Sequence, residues 1–206
     1  MTAPRLVLAS ASPARRALLR AAGIPAEVVV SGVDESAVPL TDPATVAGTL
    51  ATLKATAVAD RLRGTDRPAA LVLGCDSVLA FGGGILGKPA DAQEARRRWR
   101  AMRGRSGVLH TGHCLVDLAR SRQVSRVAAT TVRFADVTDD EIEAYVATGE
   151  PLHVAGAFTL DGRGAPFVAG IDGDHGNVIG LSLPLLRAML AELGTPITSL
   201  WDSVTA

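Results

Sequence analysis

Leu6-Val7-Leu8-Ala9 is a continuous apolar run, too short to cross a membrane and without the alternation of a half-wet strand. It breaks at Ser10-Ala11-Ser12, and Pro13 opens an apolar-periodic segment through Leu19. This reads as a buried strand, a short polar turn and a helix. Ser12 suits the N-cap, and Pro13 the first helical position, where no amide donor is needed. A helix start presents free N–H groups and partial positive charge, and Arg15 and Arg16 add fixed cations beside it. The stretch has two readings: a triphosphate cradle, or an ordinary capped helix start with solvated arginines.

The rest of the chain repeats this grammar. Glu27 to Val30 reads as a second strand running into Ser31-Gly32-Val33-Asp34-Glu35-Ser36, a loop that offers oxygen ligands to a hard cation or is simply solvated. Asp42-Pro43 caps a long helix with Val46, Leu50, Leu53 and Ala57 on its buried face. Lys54 sits at the margin of that stripe, where snorkelling to solvent is the favoured reading and a pocket the other. Gly64 to Pro68 reads as a linker. Ala69 to Gly74 reads as a central buried strand, with Asp76 at or just past its C-terminal end, where open α/β sheets place ligands. A carboxylate there needs a partner, because burying an unpaired charge is costly.

Gly82-Gly83-Gly84 reads as a hairpin turn, with Lys88 at the hairpin's end. Asp91 and Glu94 start a helix carrying Arg96, Arg97, Arg98, Arg100, Arg103 and Arg105, read as a solvated face or a subunit contact. Residues 107–118 and 124–135 read as paired strands. His110 and His113 would then point to opposite faces, which excludes a shared zinc. Thr138 to Glu141 is a capping box. The glycine-rich stretch 153–167, with Asp161, suits a pocket wall or a connector. Residues 171–177 read as a turn, Ser182-Leu183-Pro184 starts the last helix, and the chain after Gly194 reads as a loose tail.

Bulk properties narrow the class. The 206 residues suit one domain, 1–206, of closely packed lobes, and 48% hydrophobic content supplies its core. Basic and acidic residues number 21 each, which argues against holding duplex nucleic acid by bulk charge. Two cysteines, Cys75 and Cys114, make no disulfide framework. With no signal peptide pattern or membrane span, a soluble cytoplasmic protein is expected.

Seven segments, in order and in register, resemble the Maf family: residues 8–16, Val33-Asp34-Glu35, Gly74-Cys75-Asp76-Ser77-Val78, Gly87-Lys88-Pro89, Gly149-Glu150-Pro151-Leu152, Ala155-Gly156-Ala157-Phe158 and Gly180-Leu181-Ser182-Leu183-Pro184. The resemblance implies an elongated α/β fold with a mixed, twisted sheet flanked by helices and two lobes around a central cleft, akin to the inosine triphosphatase group. It implies a nucleoside triphosphate pyrophosphatase that uses a divalent cation, Mg²⁺ or Mn²⁺, and is often a homodimer. The family's link to septation leaves a nucleotide-binding regulator of division as the alternative. On this resemblance Asp76 is the general base and a metal ligand with Glu35. Ser10, Ser12, Arg15, Lys54 and Lys88 line the phosphate pocket, and Ser77 and Asp161 contact substrate. The branch acting on dTTP and UTP carries Arg at the position of Ala14, Gln at Asp161 and Thr at Ser77; the branch acting on 7-methyl-GTP carries Trp at Ala14 and Glu at Asp161. This chain matches neither. A carboxylate at 161 accepts hydrogen bonds only, which speaks against a uracil or thymine edge.

Overall fold

The structure is a computed structural model and describes residues 4–39, 41–65 and 70–201. Residues 66–68 of the expected linker and the last five residues of the expected tail lie outside the described residues. In chain order the elements are β1 (Arg5–Leu8), α1 (Pro13–Ala21), β2 (Ala26–Val28), α2 (Pro43–Leu62), β3 (Ala70–Phe81), β4 (Gly84–Leu86), α3 (Ala92–Met102), β5 (Ser106–Asp117), β6 (Arg122–Phe134), α4 (Asp139–Ala147), β7 (Val168–Asp172), α5 (His175–Ile179) and α6 (Leu183–Glu192). They form a mixed α/β fold around one open seven-stranded sheet in the order β2-β1-β3-β5-β6-β7, with β4 paired to β3. β1 runs parallel to β2 and β3, and every other pairing is antiparallel.

The helix starts follow local chemistry. The side chains of Ser12, Asp42, Asp91 and Ser182 each accept an amide at a helix start, and Thr138 and Glu141 close a reciprocal capping box. α1 and α6 cover one face of the sheet through Leu19, Leu186, Met189 and Leu190 against Leu6, Leu8, Leu71, Leu73 and Cys75. α2 covers the other face through Ala51, Ala55 and Val58 against Val7, Val72, Cys114 and Val116. Toward the far end of the long strands, α3 and α4 enclose Trp99, Phe134, Tyr145 and Phe158, and the Trp99 indole N–H donates to the Ala157 carbonyl at 2.7 Å.

Several expectations change. The buried stripe of α2 is rotated from the one its hydrophobic spacing suggests: Leu53 is exposed, while Ala47, Ala51, Lys54, Ala55 and Val58 face inward. The cause lies on the sheet. A Cβ on Gly112 would sit 2.1 Å from the Ala47 carbonyl oxygen, and one on Gly74 2.3 Å from that of Ala51. The two glycines let the backbone of α2 settle onto β3 and β5 with its alanines facing down. Residues 168–172 form an edge strand and 175–179 a short helix where a turn is expected. The chain after Gly194 is also packed, since Thr195 and Leu200 are buried, Leu200 in the α1–α6 core.

Candidate active site

β3 has one continuous neighbour and one interrupted one. β5 pairs along it from Leu71 to Ala80. On the other edge β1 covers Ala70 to Leu73, and β4 takes over only at Leu79. Residues 74–78 therefore face a gap between two strands. Asp76 lies in that gap, in the middle of a twelve-residue strand rather than at its C-terminal end. The expected end-of-strand position is corrected because β3 continues through Gly74, held by β5. Asp76 and Ser77 point to opposite faces of the sheet, and each meets a cation there.

On the α2 face, Lys54 Nζ lies 2.5 Å from Asp76 Oδ1 and 2.7 Å from Glu35 Oε1. Lys54 is 8% exposed and points inward, so the snorkelling reading is wrong. Its position follows from the glycine-permitted approach of α2, because Asp76 pairs directly with Gly112. Glu35 comes from a short 3-10 turn, Glu35–Ala37, capped by Asp34, whose Oδ1 accepts from the Ser36 amide and hydroxyl. The segment leading to that turn is pinned by Arg61, whose Nη2 donates to the Val30 carbonyl at 2.6 Å. The two carboxylates shift in opposite directions. Burial raises the Asp76 pKa above the usual carboxylate value, although Lys54 and Arg15 pull it back. Burial also acts on Glu35, but its hydrogen bond with Lys54 and the charges of Lys54, Lys88 and Arg15 outweigh it and lower the pKa. One ammonium thus joins a carboxylate held reluctantly ionised to one held firmly ionised.

On the α1 face, Arg15 is nearly buried. Its Nε donates to the Gly180 carbonyl at 2.8 Å, Nη1 to Ser10 Oγ at 3.1 Å and Nη2 to Ser77 Oγ at 3.1 Å. A guanidinium has five N–H donors, so one on each terminal nitrogen stays uncommitted, a fork suited to phosphate. The hydroxyl protons can be assigned by inventory. Thr111 Oγ1 donates to the Asn177 carbonyl at 2.9 Å, so Ser77 must donate to Thr111 and accept from Arg15. Ser10 Oγ accepts from both Arg15 and the Ser12 amide, which leaves its own proton to donate.

The other expected residues separate. Ser12 caps α1, its Oγ accepting from the Arg15 amide at 3.4 Å. Lys88 is exposed, and its charge acts on Glu35. Asp161 is exposed and makes no hydrogen bond or ion pair among the described residues. Its loop is organised by Glu150, which accepts from the Tyr145 and Thr159 hydroxyls and the Arg163 and Gly164 amides. A separate cavity of about 480 Å³ runs along the outer side of α1, lined by Ser12, Arg16, Arg20 and Val28 among others. The arginines of α3 and its C-cap are largely engaged within the chain: Arg96 and Arg100 pair with Glu143, Arg98 with Glu94, and the C-cap Arg103 with Asp139.

Sequence reasoning misses Thr111, His113 and Asn177. His113 is fully buried on β5. Its Nε2 accepts from the Ser182 amide at 2.9 Å, and Nδ1 lies 3.0 Å from the Thr111 carbonyl oxygen. Burial, then the Arg15 charge, lowers its pKa to about 4, so the ring is neutral near pH 7. The available signal is two polar residues, Thr111 and His113, two apart in a buried strand and hence on one face.

The site thus sets a fork-shaped cation on one face of an open α/β sheet and a buried carboxylate–ammonium pair on the other, a combination chemically suited to a polyanion. Comparison with known proteins gives the family. The family model described as "Maf-like protein" matches residues 5–193. A relative from Streptomyces coelicolor, named nucleoside triphosphate pyrophosphatase, is 66% identical over 96% of this chain and 94% of its own. Relatives of the same name from Salinispora tropica and Synechococcus elongatus are 62% and 56% identical, each over 98% of this chain and over 89% and 100% of their own lengths. A crystal structure of a nucleoside-triphosphatase, dITP/XTP pyrophosphatase, from Mycobacterium abscessus is a more distant likeness, 16% identical with a TM-score of 0.39 over 92% of this chain and 94% of that one. The chain belongs to the Maf family.

Proposed function

We propose that this protein is a nucleoside triphosphate pyrophosphatase, which hydrolyses canonical or modified (d)NTPs to the nucleoside monophosphate and pyrophosphate. The relatives' shared name supports the class of reaction. The observation that carries the reading for this chain is Asp76, a buried carboxylate with a raised pKa held against Lys54 in the gap of β3. A carboxylate so placed orients water and takes its proton as the water attacks phosphorus. Arg15, with two free N–H donors, Ser10, with its free proton, and Lys88 receive the phosphate oxygens and offset their charge. Ser12 shapes the turn beneath them, and Ser77 holds Arg15.

The donor set fits a divalent cation, Mg²⁺ or Mn²⁺. Asp76 and Glu35 already converge on one positive charge, and hard cations of this class combine one or two carboxylates with water and phosphate oxygens. Asp76 and Glu35 would hold it, and when bound it offsets charge on the phosphate chain. Asp161, on its Glu150-braced loop, is the proposed base contact, with the preferred base unassigned. The remaining elements of the proposal rest on resemblance and composition: a cytoplasmic homodimer without stable nucleic-acid binding. The alternative of a nucleotide-binding regulator with little turnover rests on the family's link to septation, and the relatives' shared name favours the enzyme over it.

The test is pyrophosphate release from a panel of canonical and modified nucleoside triphosphates with Mg²⁺ or Mn²⁺. Asp76→Asn should lose about 10²- to 10⁴-fold in turnover, the usual value of a general base, while still unfolding cooperatively. Unchanged turnover would remove Asp76 from the reaction, and no release from any nucleotide by the wild type would reject the function.

A further inference from the structure

The Arg15 fork depends on where its third anchor, the Gly180 carbonyl, points. Gly180 has φ +119° and sits in the turn between α5 and α6. That turn is closed on one side by the amides of Gly180 and Leu181, which donate to the Gly176 carbonyl at 2.9 and 2.8 Å. On the other side it is tied to the sheet by the Ser182 amide, which donates to His113 Nε2 at 2.9 Å. The Ser182 hydroxyl oxygen caps α6, where it accepts from the Leu185 amide.

The hydrogen-bond inventory fixes the histidine. An amide can only donate, so Nε2 is the bare nitrogen and Nδ1 carries the proton that reaches the Thr111 carbonyl. Thr111 is also the residue whose hydroxyl backs Ser77 against Arg15. Two of the three Arg15 anchors therefore trace back to adjacent groups on β5: Ser77 through the Thr111 hydroxyl, and Gly180 through His113. A protonated ring would set an N–H against an N–H at Ser182, with the Arg15 charge close by and Asp174 only partly offsetting it. Neither His113 nitrogen has a free position toward the site, so the residue acts through the turn and not on a ligand.

We infer that His113 is a positioning residue: its imidazole, bridging the Ser182 amide and the Thr111 carbonyl, fixes the Gly180 carbonyl that aims the Arg15 guanidinium at the phosphate chain. This rests on the proposed triphosphate reading of the site. A buried histidine serving only the core would contribute volume and nothing to anion affinity.

Titration calorimetry with inorganic tripolyphosphate and Mg²⁺ separates the two. His113→Leu keeps the volume and removes the acceptor; it should weaken tripolyphosphate binding about tenfold, the worth of one hydrogen bond to a charged group's support. His113→Gln places an oxygen near Nε2 and should recover affinity to within about threefold of wild type. In the same variants KM should rise and fall while kcat moves little, because Arg15 grips ground state and transition state alike. A cooperatively folded His113→Leu that binds tripolyphosphate as the wild type does would overturn the inference and leave the pyrophosphatase reading intact. A wild type that binds neither tripolyphosphate nor pyrophosphate would overturn both. Independently of any variant, nitrogen-15 correlation spectra of the wild type should show His113 as the neutral Nδ1–H tautomer at pH 6, with its Nε2 resonance shifting when tripolyphosphate is added. An Nε2–H or charged ring, or a resonance indifferent to the ligand, would contradict the assignment.

Discussion

Lys54→Met isolates the buried ion pair of the site. It replaces a buried ammonium with an apolar chain of similar length and leaves Asp76 ionised, 7% exposed and beside Glu35. Removing one partner of a buried ion pair costs about 3–5 kcal/mol, chiefly the desolvation of the charge left behind. Glu35 is half exposed and can turn to water, so the cost centres on Asp76. The stranded carboxylate will then titrate still higher than in the wild type, where burial already raises it. A carboxylate whose folded pKa exceeds its unfolded value binds more protons in the fold, so stability is lost as pH rises between the two values and regained on acidification. The deficit of Lys54→Met should therefore be largest near pH 7.5 and shrink toward pH 5. Urea denaturation across that range measures it. Adding Asp76→Asn to Lys54→Met should recover most of the loss, giving a coupling energy of about 2–3 kcal/mol in the double-mutant cycle. Additivity within about 0.5 kcal/mol, with a deficit independent of pH, would refute the argument that Lys54 exists to keep Asp76 charged.

Two further predictions concern the frame. Gly112→Ala puts a methyl group 2.1 Å from the Ala47 carbonyl oxygen, so α2 must lift from the sheet; the expected cost is about 3 kcal/mol, and a thermal melt lowered by about 6–12 °C checks it. His113 falls from an ordinary 6.5 to about 4 in the fold, through burial and Arg15. The unfolded chain then binds the extra proton between those values, so stability should fall by up to about 3 kcal/mol as pH drops from 6.5 to 4, and His113→Gln should lack that component when the two denaturation profiles are subtracted.

What could be read from the sequence was local. Ser12-Pro13, Asp42-Pro43 and Thr138 to Glu141 mark helix starts because the capping side chain and its amide are three residues apart. The Gly82-Gly83 turn declares itself because both residues take positive φ. The inward turn of Lys54 was not legible, because it depends on two glycines on different strands that meet α2 only after folding. Nor was the setting of Asp76: whether a strand ends or continues at a glycine depends on its neighbour, and β5 carries β3 on to Phe81. β7 was hidden for a similar reason, since Val168-Ala169-Gly170-Ile171-Asp172 has weak strand character and is held by pairing with β6. The family resemblance gathered Arg15, Lys54, Asp76 and Glu35 into one site, but not their division between two faces.

That division has a consequence for how the protein can change. A sheet normally insulates the layers on either side of it, and the gap beside residues 74–78 is a window between them. On the proposed roles, phosphate grip falls to the layer built on α1 and α6, and water activation to the layer built on α2. Each layer has its own apolar foundation, so drift in one can retune affinity while the other preserves turnover. A protein built this way can adjust its hold on the phosphate chain without rebuilding the chemistry on the other side of the sheet.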